Sequence, residues 1–288
     1  MASSANQPLH PNAYAYHDKD VAFKYSNARP SYPIEAIKFI ENELNLSKDS
    51  VIIDLAAGTG KFSSLIAQAG YKNITCVEPS GEFRDTCRDI LENIKTEQKE
   101  LDYKVLEGFS TSIPAQDNSV DVIFSVQAFH WFANAESIKE ISRVLKPNGI
   151  LFLMWNVFDN EANSEFQPLL SLFRGGNGQK SELMTSPFSQ SYEWMNIFKD
   201  NESNEEFKKL INPVLEKKTF NYQHLTNTEK TIMAMQSISF IAVLPTEKRD
   251  ALLEKMRAAL NSLESTKDGK EFNIHYKTEV YITKKPSN

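Results

Sequence analysis

Two cysteines, Cys76 and Cys87, are all that the 288 residues contain, so no disulfide framework holds this chain together. They fall on an expected strand and an expected helix, with neither metal nor redox spacing, and point to a reducing, cytoplasmic compartment. Histidine is nearly as scarce. The five residues at 10, 17, 130, 224 and 275 are scattered, no expected helix carries two at ligand spacing, and no metal is implied. No apolar run approaches the ~20 residues that span a bilayer, so no membrane partner is expected. Positive charge is outweighed, 32 Lys and Arg against 38 Asp and Glu, for a net charge of −6. A surface of that sign does not track phosphates, which removes nucleic acid from the expected partners. Residues 1–12 have neither a basic n-region nor an apolar h-region, and residues 1–20 read as a flexible tail rather than a leader. There is no internal repeat, and the length suffices for a full α/β core with additions.

What the chain does have is a glycine turn between a strand and a helix. Val51-Ile52-Ile53 is β-branched and reads as a buried strand, Asp54-Leu55-Ala56-Ala57-Gly58-Thr59-Gly60 is the turn, and Phe62, Leu65, Ile66 and Ala69 recur at helical spacing until Gly70. Such a turn lets a ligand press against backbone at a helix N-terminus. Two phosphate-binding patterns fail on spacing. A dinucleotide fingerprint needs Gly or Ala where Ser63 stands, and a P-loop needs Gly at Leu55 and Ser or Thr at Phe62. Asp54 would also repel a pyrophosphate. A ligand bearing an ammonium and a sulfonium suits that carboxylate, which favours S-adenosylmethionine over a dinucleotide.

The next strand, Asn73 to Val77, ends at Glu78-Pro79-Ser80. In a parallel sheet Glu78 projects beside the glycine turn, about 20 residues on, where a carboxylate accepts both hydroxyls of a ribose. It also suits the first turn of a helix as a dipole-complementing charge. Tyr103 to Leu106 is a third strand, followed by Glu107-Gly108-Phe109-Ser110, and Val120 to Phe124 is a fourth. An aromatic beside small polar residues can flank a purine, and Phe109 serves equally well as core.

With these pieces the chain resembles the class I S-adenosylmethionine-dependent methyltransferases, and within them the small-molecule branch that includes trans-aconitate methyltransferase-like enzymes. The matching stretches are Tyr25 to Pro33, Asp54 to Gly60, Val77 to Ser80, Gln127-Ala128-Phe129-His130-Trp131-Phe132 and Arg143 to Gly149. The resemblance implies an α/β, Rossmann-like, doubly wound seven-stranded sheet, mostly parallel with an antiparallel last strand, plus an α-helical or irregular cap. It implies that Asp54, Ala56, Gly58 and Gly60 hold the methionine portion, Glu78 with Pro79 the ribose, and Phe109 with Ser110 the adenine. Gln127 to His130 would line the transfer site. Ala56 stands where a glycine is usual and is expected to keep a negative φ. Phe109 replaces a usual acidic residue, so the adenine amino contact is expected to pass to backbone.

Tyr25, Arg29 and Tyr32 precede the helix Ile34 to Leu44 and are expected to fold over the cofactor, with Tyr32 facing substrate. Arg29 either grips a carboxylate with its planar fork or stabilises a turn. Trp131 and Trp155 are expected to shape the substrate pocket. A hydroxyl acceptor would need a base, for which His130 is the candidate, whereas a carboxylate needs none. Ser80 should cap a helix bearing Phe83, Cys87, Ile90, Leu91 and Ile94, and Ile138, Ile141 and Leu145 mark a helix closed by Pro147-Asn148-Gly149. Thr226 with Glu229 reads as a capping box, and Leu252, Met256, Ala259, Leu260 and Leu263 as an inward face.

The expected organisation is a tail (1–20), a cofactor-binding core with an N-terminal lid (21–155), a substrate-cap insertion (156–214) and a segment completing the sheet (215–288). The scattered aromatics of the insertion, among them Phe173, Phe188 and Trp194, favour a cap over a surface excursion. The function expected is methyl transfer from S-adenosyl-L-methionine, leaving S-adenosyl-L-homocysteine, to an oxygen of a small-molecule metabolite, by a monomer or weak homodimer. Action on protein or lipid, or a non-catalytic regulatory module, are the alternatives.

Overall fold

A computed structural model describes residues 18–172 and 191–287. The expectations placed on residues 1–17, on Phe173 and Phe188, and on the Gly175 to Gly178 turn lie outside them. Seven strands among the described residues form one sheet: β1 Val51–Leu55, β2 Asn73–Val77, β3 Asp102–Leu106, β4 Val120–Val126, β5 Leu145–Phe158, β6 Glu216–Thr226 and β7 Phe272–Lys284. Their order is β3-β2-β1-β4-β5-β7-β6. The first five are parallel, and β7 runs antiparallel to both β5 and β6. This is the Rossmann-like, doubly wound α/β sheet with an antiparallel last strand that the sequence implied.

The helices, in chain order, are α1 Lys19–Ala28, α2 Ile34–Glu43, α3 Lys61–Gln68, α4 Gly81–Glu97, α5 Ala135–Val144, α6 Gln167–Ser171, α7 Asn196–Lys199, α8 Glu205–Leu210, α9 Thr228–Gln236, α10 Ser239–Ala242 and α11 Thr246–Asn261. Because side chains alternate along a strand, neighbours such as Ile52 and Ile53 serve opposite faces of the sheet. Ile52, Ile74, Phe124 and Phe152 meet Ile37 and Ile40 of α2, Phe62 and Ile66 of α3, and Leu91 of α4. Ile53, Ile123, Leu151 and Leu153 meet Ile138 and Ile141 of α5. Helices thus cover both faces, as a parallel sheet requires.

The segment read as a cap divides in two. Trp194, Phe198 and Phe207 join the α5 face of the core, with Trp194 stacked on Trp155 at 4.3 Å. Phe166 and Leu169 instead join Ile232, Phe240, Leu253, Met256 and Phe272 in a separate cluster. Packing those rings into these clusters removes their apolar area from water.

Three local expectations change. The Thr226–Glu229 capping box does not form: Thr226 ends β6, Asn227 caps α9 by accepting the Lys230 amide at 3.0 Å, and Glu229 pairs with Arg257 at 3.0 Å. An asparagine one residue later outcompetes the threonine as N-cap. On α11 the buried positions are Leu253, Met256 and Leu260, so Leu252 and Ala259 flank the core instead of filling it. Pro147-Asn148-Gly149 do not close a helix: α5 stops at Val144, and Leu145 already pairs with Val120 in the sheet.

At the β1–α3 turn, a Cβ on Gly60 would lie 2.6 Å from Cys87 Sγ and 3.2 Å from Cys87 Cα, at a φ of +77°. The start of α3 therefore packs on α4 at a distance that only glycine permits. Gly60→Ala should lower unfolding stability by about 1–3 kcal/mol through overpacking, measured by urea denaturation, and adding Cys87→Ala should restore part of it. An unchanged midpoint for Gly60→Ala would contradict this packing.

Candidate functional site

Strand order reverses between β1 and β4, and ligands of open α/β sheets bind in the crevice at the carboxyl ends of the strands flanking that point. Asp54 to Gly60 leaves β1 there, Glu78 leaves β2, and Gln127 to His130 leaves β4. The turn is built from left-handed residues, Ala56 at +59°, Gly58 at +58° and Gly60 at +77°. The expectation of a negative φ at Ala56 is thus overturned. An alanine there costs about 1–2 kcal/mol. The amides of Ala56 and Ala57 both donate to the Val77 carbonyl, at 2.8 and 3.2 Å, and hold it in place. Phe83 of α4 backs the turn, 3.6 Å from where a Gly58 Cβ would be.

Two carboxyls meet behind this turn. Asp54 is 2 % exposed and accepts from Ser63 Oγ at 2.5 Å. Glu78 is 5 % exposed, its Oε2 accepting the Gly58 amide and its Oε1 the Ser80 amide, each at 2.9 Å. Burial pushes Asp54 up to about 7 against the opposing pull of Ser63. Burial likewise pushes Glu78 up to about 7, with the two amides and Arg84 opposing and Asp54 adding to the rise. Among the described residues no cation pairs with either one. The Arg84 guanidinium goes to the carbonyls of Glu78 and Pro79 and to Glu107. Asp54 Oδ2 and both Glu78 oxygens each keep a lone pair beyond the one protein donor they engage. Buried acids without a counter-charge fit a ligand that brings cations, and an ammonium with a sulfonium meets that need.

The N-terminal segment crosses this site. Tyr25 rests on Phe83, ring centroids 5.5 Å apart, and the Arg29 guanidinium lies over the Tyr25 ring at 5.3 Å. Arg29 donates through Nε to Ser237 Oγ at 2.8 Å, tying the end of α1 to the end of α9. Tyr32 packs edge-on against Phe62 at 5.8 Å, and burial raises its hydroxyl well above the ordinary value, with Tyr25 and Asp54 adding to the shift. Tyr25, Arg29 and Tyr32 therefore gather where Asp54 is felt.

Beyond β4, Gln127 is left-handed at +61° and its amide donates to the Met154 carbonyl at 2.8 Å. His130 lies 5.2 Å from the Trp131 ring, and its Nδ1 accepts from Trp155 Nε1 at 3.2 Å. Burial pushes His130 down to about 3. Trp155 does not line a pocket as expected. It is 2 % exposed, held between Trp194 and Tyr281, and reaches the crevice only through its bond to His130.

After β3, Phe109 and Ser112 form a two-residue bridge in which the Phe109 amide donates to the Ser112 carbonyl at 3.2 Å. That amide is thus engaged within the turn. Ser110 Oγ accepts from Ser137 Oγ at 2.8 Å. Gly108 was missed by sequence reasoning: a Cβ there would lie 2.7 Å from Val77 Cγ1 and 2.9 Å from Pro114 Cδ. So were Phe83 and Cys87 behind the glycines, and Thr59, whose buried hydroxyl has no partner among the described residues. Only the packing reveals them, since no motif distinguishes these positions from ordinary core.

A stability consequence follows from the raised carboxyls. A folded-state value above the unfolded one means that the proton is held more tightly in the fold. That contribution is fully present below about pH 4 and is lost as pH rises through about 7. Urea unfolding of the ligand-free wild type should therefore weaken from pH 4 to pH 7.5 relative to Asp54→Asn, which lacks the titrating group. A wild-type-minus-variant difference that stays flat over that interval would contradict the assignment.

Comparison with known proteins agrees with this geometry. A methyltransferase-domain family model matches residues 53–153, from β1 into β5. An uncharacterised methyltransferase-like protein of Schizosaccharomyces pombe is 30% identical over 268 residues, 92% of this chain and 94% of the relative. A second uncharacterised methyltransferase from the same yeast is 39% identical over 154 residues, 53% of this chain and 58% of its own length. The glycine/sarcosine/dimethylglycine N-methyltransferase of Actinopolyspora halophila matches 46% of this chain at 29% identity and 24% of its own length. Among solved structures, the YcgJ protein of Bacillus subtilis superposes with a TM-score of 0.51 at 15% identity, over 89% of this chain and all of that one. The [4+2]-cyclase SpnF reaches 0.53 at 14% identity, over 98% and 99%. These two show the fold alone. By its near full-length relative, its domain match and its sheet, the chain is a class I S-adenosylmethionine-dependent methyltransferase.

Proposed function

We propose that this methyltransferase esterifies a carboxylate oxygen of a small-molecule acceptor. The observation that carries the reading is the hydrogen bond from Trp155 Nε1 to His130 Nδ1 at 3.2 Å. An indole nitrogen only donates, so Nδ1 is the unprotonated nitrogen and the neutral ring carries its hydrogen on Nε2. No lone pair is then free to take a proton from a hydroxyl, and burial keeps the ring from ionising. A hydroxyl or ammonium acceptor has to lose a proton to become the nucleophile. A carboxylate does not, and a neutral Nε2–H is suited to hold one of its oxygens while the other attacks.

S-adenosyl-L-methionine, when bound, supplies a methyl carbon already activated by its sulfonium. The chain's own residues then have to bind, align and exclude water. Asp54 with the Ala56–Gly60 turn would hold the methionine portion, Glu78 with Pro79 the ribose, and the Phe109–Ser110 turn would flank the adenine. Gln127 would border the reacting groups. Tyr25, Arg29 and Tyr32 would close the crevice from α1, keeping water from the sulfonium during transfer. No residue in this scheme calls for a metal.

Screening the purified protein for S-adenosylhomocysteine release across a metabolite library, with product analysis, tests the reading. The product should be an ester that mild alkali returns to the starting acid, and His130→Ala should lower kcat/KM about tenfold, the scale of one lost hydrogen bond to a charged oxygen. A wild-type profile with no step near pH 6.5 should accompany it. An alkali-stable ether or N-methyl product would overturn the carboxylate assignment.

A further inference from the structure

A buried carboxylate sits among the aromatic rings of the α5 face, and none of the chemistry above uses it. Glu279 on β7 is 7 % exposed and is the cross-strand partner of Trp155 on β5. Its Oε1 accepts from Lys217 Nζ, which reaches in from the edge strand β6, at 2.7 Å. Its Oε2 accepts two hydroxyls, those of Tyr192 and Tyr281, each at 2.9 Å. Burial, with the bond to Glu279 adding, raises both tyrosines above their ordinary value, so both keep the protons they donate. The Lys217 ammonium also lies over the Tyr192 and Tyr281 rings, at 5.9 and 5.2 Å.

Well-packed apolar groups in place of such a pair often leave stability unchanged. A buried polar network with every member bonded instead fixes one arrangement of the groups around it. Here the two hydroxyls belong to the residues that frame a pair of tryptophans. Tyr281 meets Trp155 edge-on at 6.1 Å and Trp194 at 5.0 Å. Tyr192 stands two residues before Trp194, at a φ of +55° that a side chain of its size rarely adopts. Such a conformation persists only where surrounding bonds over-determine it, and the hydroxyl bond to Glu279 is one of them. Trp194 stacks on Trp155 at 4.3 Å, and Trp155 donates to His130 Nδ1.

We propose that Glu279 is a positioning residue for the transfer site: by holding Tyr192 and Tyr281 it locks the Trp194–Trp155 pair, and so keeps the His130 proton on Nε2. Glu279 acts through two hydroxyls and two indoles on one imidazole. Loss of either hydroxyl bond frees a ring that braces Trp155, and the indole N–H is no longer held against Nδ1. The imidazole can then carry its hydrogen on either nitrogen. The inference shares the neutral His130 of the carboxylate reading, but it does not need the acceptor to be an acid. An N-methyl or ether product would remove that reading and leave this one standing.

Heteronuclear NMR of the histidine rings in the full chain, without ligand, reads the tautomer directly, with His130 assigned from the signal lost in His130→Ala. Wild type should show one form, unprotonated at Nδ1. Tyr192→Phe, which loses a single hydroxyl, and Glu279→Gln should each raise the Nδ1–H form about tenfold in population, the scale of one lost hydrogen bond. Leu91→Ala supplies the comparison, because it opens a cavity on the opposite face of the sheet. It should melt at a lower temperature than wild type yet keep the wild-type His130 spectrum. Should Glu279→Gln fail to fold, Tyr192→Phe alone decides. A His130 spectrum unchanged in the folded variants would overturn the inference, as would an equal shift in Leu91→Ala. A wild-type imidazole already protonated at Nδ1 would overturn it together with the carboxylate reading.

Discussion

Two acids buried at the ends of adjacent strands, without a cation between them, are the constraint on which this molecule turns. Asp54 and Glu78 lie near enough for the charge of one to raise the other because β1 and β2 pair in register and end at Leu55 and Val77. The turn that separates them is held by amide bonds to the Val77 carbonyl and to Glu78 itself. The left-handed residues of that turn, and the closeness of Phe83 and Cys87 behind it, keep the backbone thin where a ligand must approach. Burying two carboxyls so that each holds its proton near neutrality is unfavourable for the empty protein, and it is sensible only where a cationic ligand repays it.

The rest of the crevice is arranged around that negative pole. Positive charge from Arg29 and Lys61 lies on the side covered by α1, and the neutral His130 lies beyond β4. The acidic pole suits a cationic methyl donor, and under the carboxylate proposal the acceptor would sit in a different part of the same cleft. His130 owes its form to a core residue. Trp155, locked between Trp194 and Tyr281, fixes which nitrogen of the imidazole carries hydrogen. The aromatic packing on the α5 face of the sheet is in this way connected to the chemistry at its edge.

Much of this was legible in the residues. The β-branched run before Asp54, the helical spacing after Gly60 and the short strand Asn73–Val77 before Glu78 placed the crevice and its two acids, because strand and helix periods are local properties. What local pattern does not carry is the conformation of a single residue held by distant bonds. Ala56 was expected to avoid the left-handed region, and two amide bonds from the turn to Val77 hold it there. Trp155 was expected to shape the substrate pocket, and alternation along β5 turns it toward Trp194 instead. The division of residues 156–214 between core and periphery follows the same logic, as it depends on which sheet face has room for Trp194, Phe198 and Phe207.

The central claim is that the two buried carboxyls give up their protons to a cationic nucleoside. Titrating S-adenosylmethionine into the protein at pH 6.5 in two buffers of different ionisation enthalpy measures this directly. The account predicts net proton release on binding, reduced in Glu78→Gln and in Asp54→Asn. Binding with no proton exchanged, or with release unchanged in both variants, would contradict it.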